Sequence, residues 1–209
     1  RTMMVMVLKS AKETGISVPP DVRDGALIWL NKVAKGTHGG LAVYRPDPHE
    51  GLPITPTMTA EAWVCRQFLG VGGPGLASEE AADYLLVHGP DRDPFNLYYW
   101  YYGTLSMYQH GGPSWTRWNE RVRDQLVRRQ VRGGHADGSW HPAECRDPYD
   151  KLGGRIYCTA LAALTLEVYY RYLRLYDAPG TESPPDQAVR PTSTEALRDL
   201  PQPEIREPR

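Results

Sequence analysis

The chain has 209 residues, of which 41% are hydrophobic and 23% charged, and its formal net charge at pH 7 is -1. This length allows one domain with a substantial hydrophobic core. The balanced charge excludes the global basic field that is typical of proteins binding nucleic acids or anionic membranes.

Cysteine use and the length of apolar runs narrow the class of protein further. The three cysteines, Cys65, Cys145 and Cys158, lie far apart and form no C-x-x-C pair. Neither a disulfide framework nor a zinc ribbon is therefore indicated, and reduced thiols are expected. The longest uncharged run in a helical segment, residues 156–166, is about half of the roughly 20 apolar residues that a membrane helix needs, so no membrane span is expected.

The start of the chain shows no targeting signal. Residue 1 is Arg, and "RTMMVMVLKSAKE" enters directly into a helical pattern without the basic region, apolar core and cleavage site of a signal peptide. We therefore expect this chain to be a fragment of a longer protein, with the rest of that protein as its partner. Any targeting signal would lie upstream, and the compartment stays undetermined.

Helical sequence patterns dominate the chain. They predict helices over residues 2–14, 22–35, 57–69, 78–88, 96–110, from 114 onward, and 155–176. Asp21, Thr57 or Thr59, and Ser114 are the candidate N-caps of the second, third and sixth helices. Gly- and Pro-rich loops separate them, and residues 177–209 are predicted to be a Pro-rich, disordered tail outside the domain of residues 1–176.

The predicted helices alternate in character. The second carries one apolar stripe at helical spacing, formed by Val22, Ala26, Trp29, Leu30 and Val33, whereas the fifth and the first half of the seventh are apolar on nearly every side. "MTAEAWVC" (58–65) and "CTALAALT" (158–165) share a Thr-Ala-x-Ala pattern, which indicates an internal repeat. The simplest packing is two layers, with helices one, three, five and seven inside and the others outside.

A spaced motif near the end of the sixth helix resembles a known family. Gln130, Gly138 and Trp140 resemble the QW motif of the terpenoid cyclases, and "DKLGGRIYCTALAALTLEVYYRY" is similar to the last inner helix of prenyltransferase and squalene-oxidase repeat proteins. The sequence of residues 3–176 looks closest to the sequences of large bacterial members of this family, of planctomycete type. The resemblance implies an all-α fold, an α/α toroid or partial α/α barrel of about seven helices, in which Gln130 and Trp140 have structural roles.

The catalytic motifs of that class are matched only in part. Cyclases protonate their substrate with D-x-D-D, and the nearest string here is Asp91-Arg92-Asp93-Pro94, so Asp93 is the candidate general acid. The alternative is a loop that caps the fifth helix. Tyr157-Cys158-Thr159 resembles the Tyr-His-Thr segment of zinc-dependent prenyltransferases, but Cys158 replaces the ligand histidine, which disfavours zinc chemistry.

A second loop contains four side chains that could attract a metal: His135, Asp137, His141 and Cys145. Their spacing matches no standard zinc site, so a polar loop surface is the favoured interpretation. No metal and no cofactor are predicted.

The fifth helix contains five consecutive aromatics within "NLYYWYYGTLSMYQHGG", residues 96–112. The ligand-cavity candidates are Tyr98, Trp100, Tyr101, Tyr102 and Tyr157. Aromatic faces can stabilise carbocations in an apolar cavity, or they can simply fill space between helices. Nucleic-acid stacking is disfavoured because the stretch has no Lys or Arg.

Two functions follow from these observations as expectations. The resemblance implies a cavity that binds, or cyclises, an isoprenoid-like or other apolar small molecule. The alternative is a non-catalytic toroid that serves as a protein-binding or scaffolding module in a larger protein, because function resides in sites rather than in folds.

Overall fold

The computed structural model describes residues 2–46, 49, 51–92, 94–147 and 149–171, without the side chains of Tyr169 and Arg171. Within these residues the chain forms helices and one small hairpin. The helices are α1 (Thr2–Glu13), α2 (Pro20–Val33), α3 (Pro56–Phe68), α4 (Leu76–Val87), α5 (Leu97–His110), α6 (Gly112–Arg129), α7 (Asp150–Leu166) and the short α8 (Val168–Arg171), with a 3-10 turn at Pro142–Glu144. The two-residue strands β1 (Ala34–Lys35) and β2 (Leu41–Ala42) pair antiparallel. The predicted all-α class is confirmed.

Three predicted N-caps are wrong, each for a local reason. Thr55 caps α3, since its hydroxyl accepts a hydrogen bond from Met58 N at 3.2 Å and Pro56 supplies the first helical φ. The second helix begins at Pro20, so Asp21 lies inside its first turn. The sixth begins after Gly111, whose φ of 75° suits glycine, and Ser114 is helical.

The seventh helix differs most from its prediction. A helical segment already begins at Asp150, Gly154 breaks it with φ 58° and ψ -152°, and the segment after this break starts at residue 155 as predicted. It ends at Leu166, and α8 follows after Glu167. Residues 172–176, and the predicted tail of residues 177–209, lie outside the described part of the chain.

Helix α5 lies at the centre of the helical packing. Twelve of its 14 residues are buried, and only Tyr98 and His110 are half-buried. It contacts α3, α6 and α7, while α3 also contacts α1 and α4. The odd-numbered helices therefore contact one another in chain order, as the predicted inner layer requires. The ring of the toroid stays a prediction.

One close approach fixes α5 against α6. A Cβ atom on Gly103 would lie 2.5 Å from Cζ2 of the Trp118 ring, so only glycine leaves room for the indole. Trp118 is fully buried, and its Nε1 donates a hydrogen bond to Thr104 Oγ1 at 2.9 Å. Tyr99 meets the same indole edge to face at 5.7 Å between ring centroids.

The turn between β1 and β2 is held by a carboxylate from α4. Glu80 accepts backbone hydrogen bonds from Thr37 at 2.6 Å, His38 at 3.1 Å and Gly40 at 2.8 Å. Partial burial alone would raise the pKa of Glu80, but these three hydrogen bonds outweigh burial and lower it from its usual value.

Replacing Glu80 with glutamine should lower the free energy of unfolding by about 1 kcal/mol at pH 7, because an amide accepts these bonds less strongly than a carboxylate does. Since the folded-state pKa is lowered, the stabilisation is present above the unfolded pKa and is lost as the pH falls through the folded value. Urea denaturation at pH 7 and pH 3.5 checks this. A variant equally destabilised at both values would contradict it.

Helices α1 and α7, the first and last of the long odd-numbered helices in chain order, expose apolar side chains. Met3, Met4 and Val7 of α1 are 68%, 65% and 60% exposed, and Leu152 and Ile156 of α7 are 87% and 85% exposed. In the part of the chain that the structure describes, no helix has the length and apolar character required to cross a membrane.

Candidate ligand-binding site

An apolar cavity of about 800 Å³, partly open to solvent, lies between α1, α2 and the start of α3. Its volume falls within the range of small-molecule sites. The hairpin and the first turn of α5 complete its wall. Apolar side chains dominate the lining, among them Met4, Leu8, Trp29, Leu30, Val43 and Met58.

The predicted stripe of α2 forms one side of this cavity. All five of its members line the wall: Val22, Ala26, Trp29, Leu30 and Val33. Only Leu30 and Val33 are fully buried, while Val22 remains 41% exposed. Part of the stripe therefore faces the open cavity, so the stripe is not packed against a neighbouring helix along its whole length.

One carboxylate, Glu61 of α3, lies among the described lining residues. Thr2 Oγ1 donates a hydrogen bond to Glu61 Oε2 at 2.5 Å. Tyr98 lines the same cavity. Burial raises the pKa of Glu61, while the hydrogen bond from Thr2 acts in the opposite direction without cancelling it.

The neighbouring groups are held neutral. Burial raises the pKa of Tyr98 to about 12, and the nearby Glu61 charge adds to the effect. Burial likewise raises the pKa of Tyr102 and raises the pKa of Cys65 to about 11. The Tyr102 ring meets the Tyr98 ring edge to face at 4.9 Å between centroids, but Tyr102 itself is buried and does not line the cavity.

Residues from two further segments line the cavity near Tyr98. Asn96 caps α5, accepting a hydrogen bond from Tyr99 N at 2.9 Å, and Arg146 and Tyr149 approach from the segment before α7. The Tyr149 ring lies 5.6 Å from the Tyr98 ring between centroids. The half-exposed Tyr149 therefore covers one side of Tyr98.

The aromatic candidates of α5 divide into two groups. Tyr98 lines the cavity. Trp100, Tyr101 and Tyr102 are buried in the core, with Trp100 packed edge to face on Phe95 at 4.9 Å. Trp100, two residues after Tyr98, lies on another face of the helix, whereas Tyr101 and Tyr102 follow on the face of Tyr98 one turn further along, where α5 is buried.

Tyr157 belongs to a second polar cluster, at the start of α7. The buried Asp147 accepts a hydrogen bond from Cys145 Sγ at 3.0 Å and from Tyr149 N at 2.8 Å. Burial and the Asp147 charge raise the pKa of Tyr157, and burial raises the pKa of Cys145 to about 12. Cys158 adjoins Cys145, and burial raises its pKa as well. These thiols are kept protonated, which disfavours nucleophilic chemistry.

Asp93 lies outside the described residues. Its neighbour Asp91 is on the surface and pairs with Arg121 at 3.5 Å. The predicted acid is therefore not placed, and it stays a prediction.

The QW-like residues join the end of α6 to α7. Gln130 Nε2 donates to the Gly138 carbonyl at 2.9 Å, and the Gln130 and Trp140 backbones form an isolated antiparallel bridge. Trp140 Nε1 donates to the Leu126 carbonyl at 2.9 Å, and Trp140 N donates to Thr159 Oγ1 at 3.2 Å. The resemblance implies that Gln130 serves a neighbouring helix start, whereas here its amide closes its own loop.

In the candidate metal-binding loop, side chains form hydrogen bonds to the backbone of the same loop. Asp137 accepts from Gly133 N at 2.7 Å, and His141 accepts from Ala143 N at 3.0 Å. Among the described residues, no group of three or more His, Cys, Asp or Glu side chains is arranged to hold a metal ion.

Sequence reasoning missed Glu61 and Thr2. A signal was present, since Glu61 is the single charged residue within "MTAEAWVC" and interrupts an otherwise apolar and small stretch. A carboxylate at such a place either faces solvent or marks a site.

No protein-family model, no curated protein and no solved structure matches the chain.

Proposed function

We propose that this chain is part of an α/α toroid of the prenyltransferase and squalene-oxidase repeat class, and that its cavity binds an elongated apolar molecule of isoprenoid type. The observation that supports this most is the cavity between α1, α2 and α3, whose wall is largely apolar and whose volume suits a small molecule. The resemblance of Gln130, Gly138 and Trp140 to the QW motif supports the class.

Binding rather than turnover is the function that these residues support. Cyclisation needs an acid positioned at the substrate, and the D-x-D-D motif that supplies it in cyclases is matched only in part by Asp91-Arg92-Asp93-Pro94. An isoprenoid would meet apolar side chains of α1 and α2 and the aromatic faces of Trp29 and Tyr98. Burying such a chain contributes about 25 cal/mol for each Å² of apolar surface removed from water.

Filling the cavity tests this proposal. Ala26→Trp places a large side chain on the α2 wall, where the residue is half-buried and lines the open space. We expect at least a roughly tenfold loss of affinity for geranylgeraniol, because the indole occupies volume that the ligand needs. Isothermal titration calorimetry on the whole chain would measure it.

The matched control is Ala143→Trp, since Ala143 is exposed and lies in the 3-10 turn, away from the lining. This variant should bind as the parent does. Equal affinity of the parent and Ala26→Trp, or no binding of any apolar probe to the parent, would overturn the proposal. The second outcome would favour the protein-binding module, for which the exposed Leu152 and Ile156 of α7 offer an apolar face.

A further inference from the structure

We propose that the cavity selects a ligand whose apolar chain ends in a zwitterionic head group, with its ammonium at Glu61 and its carboxylate at Arg146. The inference rests on the proposed binding function and specifies the chemistry of the ligand's polar end. A head group with one amine and one carboxyl group carries both charges at neutral pH and has no net charge.

Two charged side chains of opposite sign line the cavity. Glu61 and Arg146 are the charged residues among its described lining residues. Neither forms an ion pair within the part of the chain that the structure describes, and Glu61 accepts one hydrogen bond, from Thr2. A ligand that fills the cavity displaces water from these charges, and a charge taken out of water without a partner costs free energy.

Arg146 lies beside the start of α5. Its backbone N donates a hydrogen bond to the Phe95 carbonyl at 2.6 Å, which places it next to Asn96, another lining residue. Asn96 Oδ1 accepts from Tyr99 N as the cap of α5, so the Nδ2 group of the same amide remains a donor for the cavity. Guanidinium and amide N–H groups both donate to carboxylates, and arginine does so with two parallel hydrogen bonds. This edge of the cavity therefore suits an anionic group.

Glu61 offers the opposite chemistry, on α3. Thr57 lies one helical turn before it on the same face, and both residues line the cavity. An ionised carboxylate only accepts hydrogen bonds, and Thr2 supplies one of the several that its two oxygens can accept. An ammonium group donates three hydrogen bonds and favours the ionised form of a carboxyl group beside it. This part of the wall therefore suits a cationic group.

The two charged side chains face a single space. Helix α3 packs against α5, and the cavity extends over the first turns of both helices. Glu61 is half-buried whereas Arg146 is exposed, so the ammonium of the ligand lies deeper than its carboxylate. The chain of the ligand lies against the apolar side chains of α1 and α2, among them Leu8 and Trp29.

The pair of opposite charges selects against other head groups. A cationic ligand pairs with Glu61 and leaves Arg146 without a partner, an anionic ligand does the reverse, and an alcohol forms no ion pair with either. A zwitterion forms both ion pairs, and hydrogen bonds between charged groups are stronger than those between neutral ones. Like charges brought together add a further penalty to a head group with a net charge.

The experiment compares five C12 probes by isothermal titration calorimetry on the whole chain at pH 7, each below its micelle concentration. Two are zwitterions that differ in the separation of their charges, 2-aminododecanoic acid and N-dodecyl-β-alanine, and the others are dodecanoic acid, dodecylamine and dodecanol. At least one zwitterion should bind the parent roughly tenfold more tightly than each of the other three probes, because only the zwitterions pair with both charged side chains.

Two variants assign the charges of the head group to the two side chains. Arg146→Gln should bind the zwitterion no more tightly than dodecylamine, and Glu61→Gln should bind it no more tightly than dodecanoic acid. The matched controls are Arg128→Gln and Glu120→Gln, since both residues are exposed on α6 and do not line the cavity. These controls should keep the preference of the parent. Circular dichroism of all four variants identifies any loss of folding.

Three outcomes would overturn the inference: equal affinity of the parent for dodecanol and both zwitterions, tightest binding of the amine or the acid, or an unchanged preference for the zwitterion in Arg146→Gln and Glu61→Gln. Geranylgeraniol, titrated into the same protein, tests the proposed function separately. If it binds while the zwitterions show no advantage, only the inference fails. If neither it nor any C12 probe binds the parent, the proposed function fails, and the inference with it.

Discussion

Replacing Trp118 with alanine is expected to lower the free energy of unfolding by about 3–5 kcal/mol, the range for removing a fully buried aromatic side chain. Three contacts would be lost together: the packing on Gly103, the edge-to-face contact with Tyr99, and the hydrogen bond to Thr104. The Thr104 hydroxyl donates to the Trp100 carbonyl at 2.6 Å, so it would keep one partner. Urea denaturation followed by circular dichroism measures the change.

A double-mutant cycle tests whether the Trp118 indole is what requires glycine at position 103. It compares the loss of stability caused by Gly103→Ala with and without the indole. Gly103→Ala alone should destabilise the protein by about 1–3 kcal/mol, because the new methyl group overlaps the indole edge. In a Trp118→Phe background, which removes the ring atoms nearest to Gly103, the same change should cost less. Equal costs in both backgrounds would show that Trp118 is not what requires glycine at position 103.

Replacing Glu61 with glutamine should raise the free energy of unfolding at pH 7.5, since the amide keeps an acceptor for Thr2 and carries no charge to be buried. The pKa of Glu61 is raised on folding, so its folded form binds more protons than its unfolded form. Its contribution to stability is therefore greatest at low pH and declines as the pH rises through the folded pKa. The gain from glutamine should shrink accordingly at pH 5.

Thermal melts of the parent and of Glu61→Gln from pH 5 to pH 7.5 test this prediction. Glu80→Gln is the matched control, because the pKa of Glu80 shifts in the opposite direction and its loss destabilises the protein. A parent more stable than Glu61→Gln at pH 7.5 would show that the carboxylate is well solvated or paired. It would also weaken the case that Glu61 belongs to a binding site, since a residue that costs stability is typical of a functional site.

The helices were predictable because their signals are local. The apolar spacing of α2 and the Gly-Gly-Pro sequence after α5 depend on residues close in sequence, and both helices formed close to where they were expected. The seventh helix was predicted from residue 155, and a helical segment does follow the break at Gly154. The helical turn that precedes the break, from Asp150, was missed, and it joins the rest through a glycine with positive φ.

The site was only partly predictable from the sequence. The spacing of the α2 stripe identified an apolar face, but spacing does not tell a packed face from the wall of a cavity. Glu61, Thr2 and Tyr98 come from three helices, and their meeting depends on how α1, α3 and α5 pack. Likewise, the run of aromatics in α5 did not indicate that Tyr98 faces the cavity while Trp100, Tyr101 and Tyr102 enter the core.

The carboxylate that holds the hairpin turn also sets an acid limit for the cavity. Ala42, Val43 and Tyr44, which line the wall, follow directly after the backbone that Glu80 binds. Protonation of Glu80 below its usual pKa of 4.5 would release Thr37, His38 and Gly40 and loosen that wall. Acid should therefore loosen the hairpin and, through Ala42, Val43 and Tyr44, the wall of the cavity that they form.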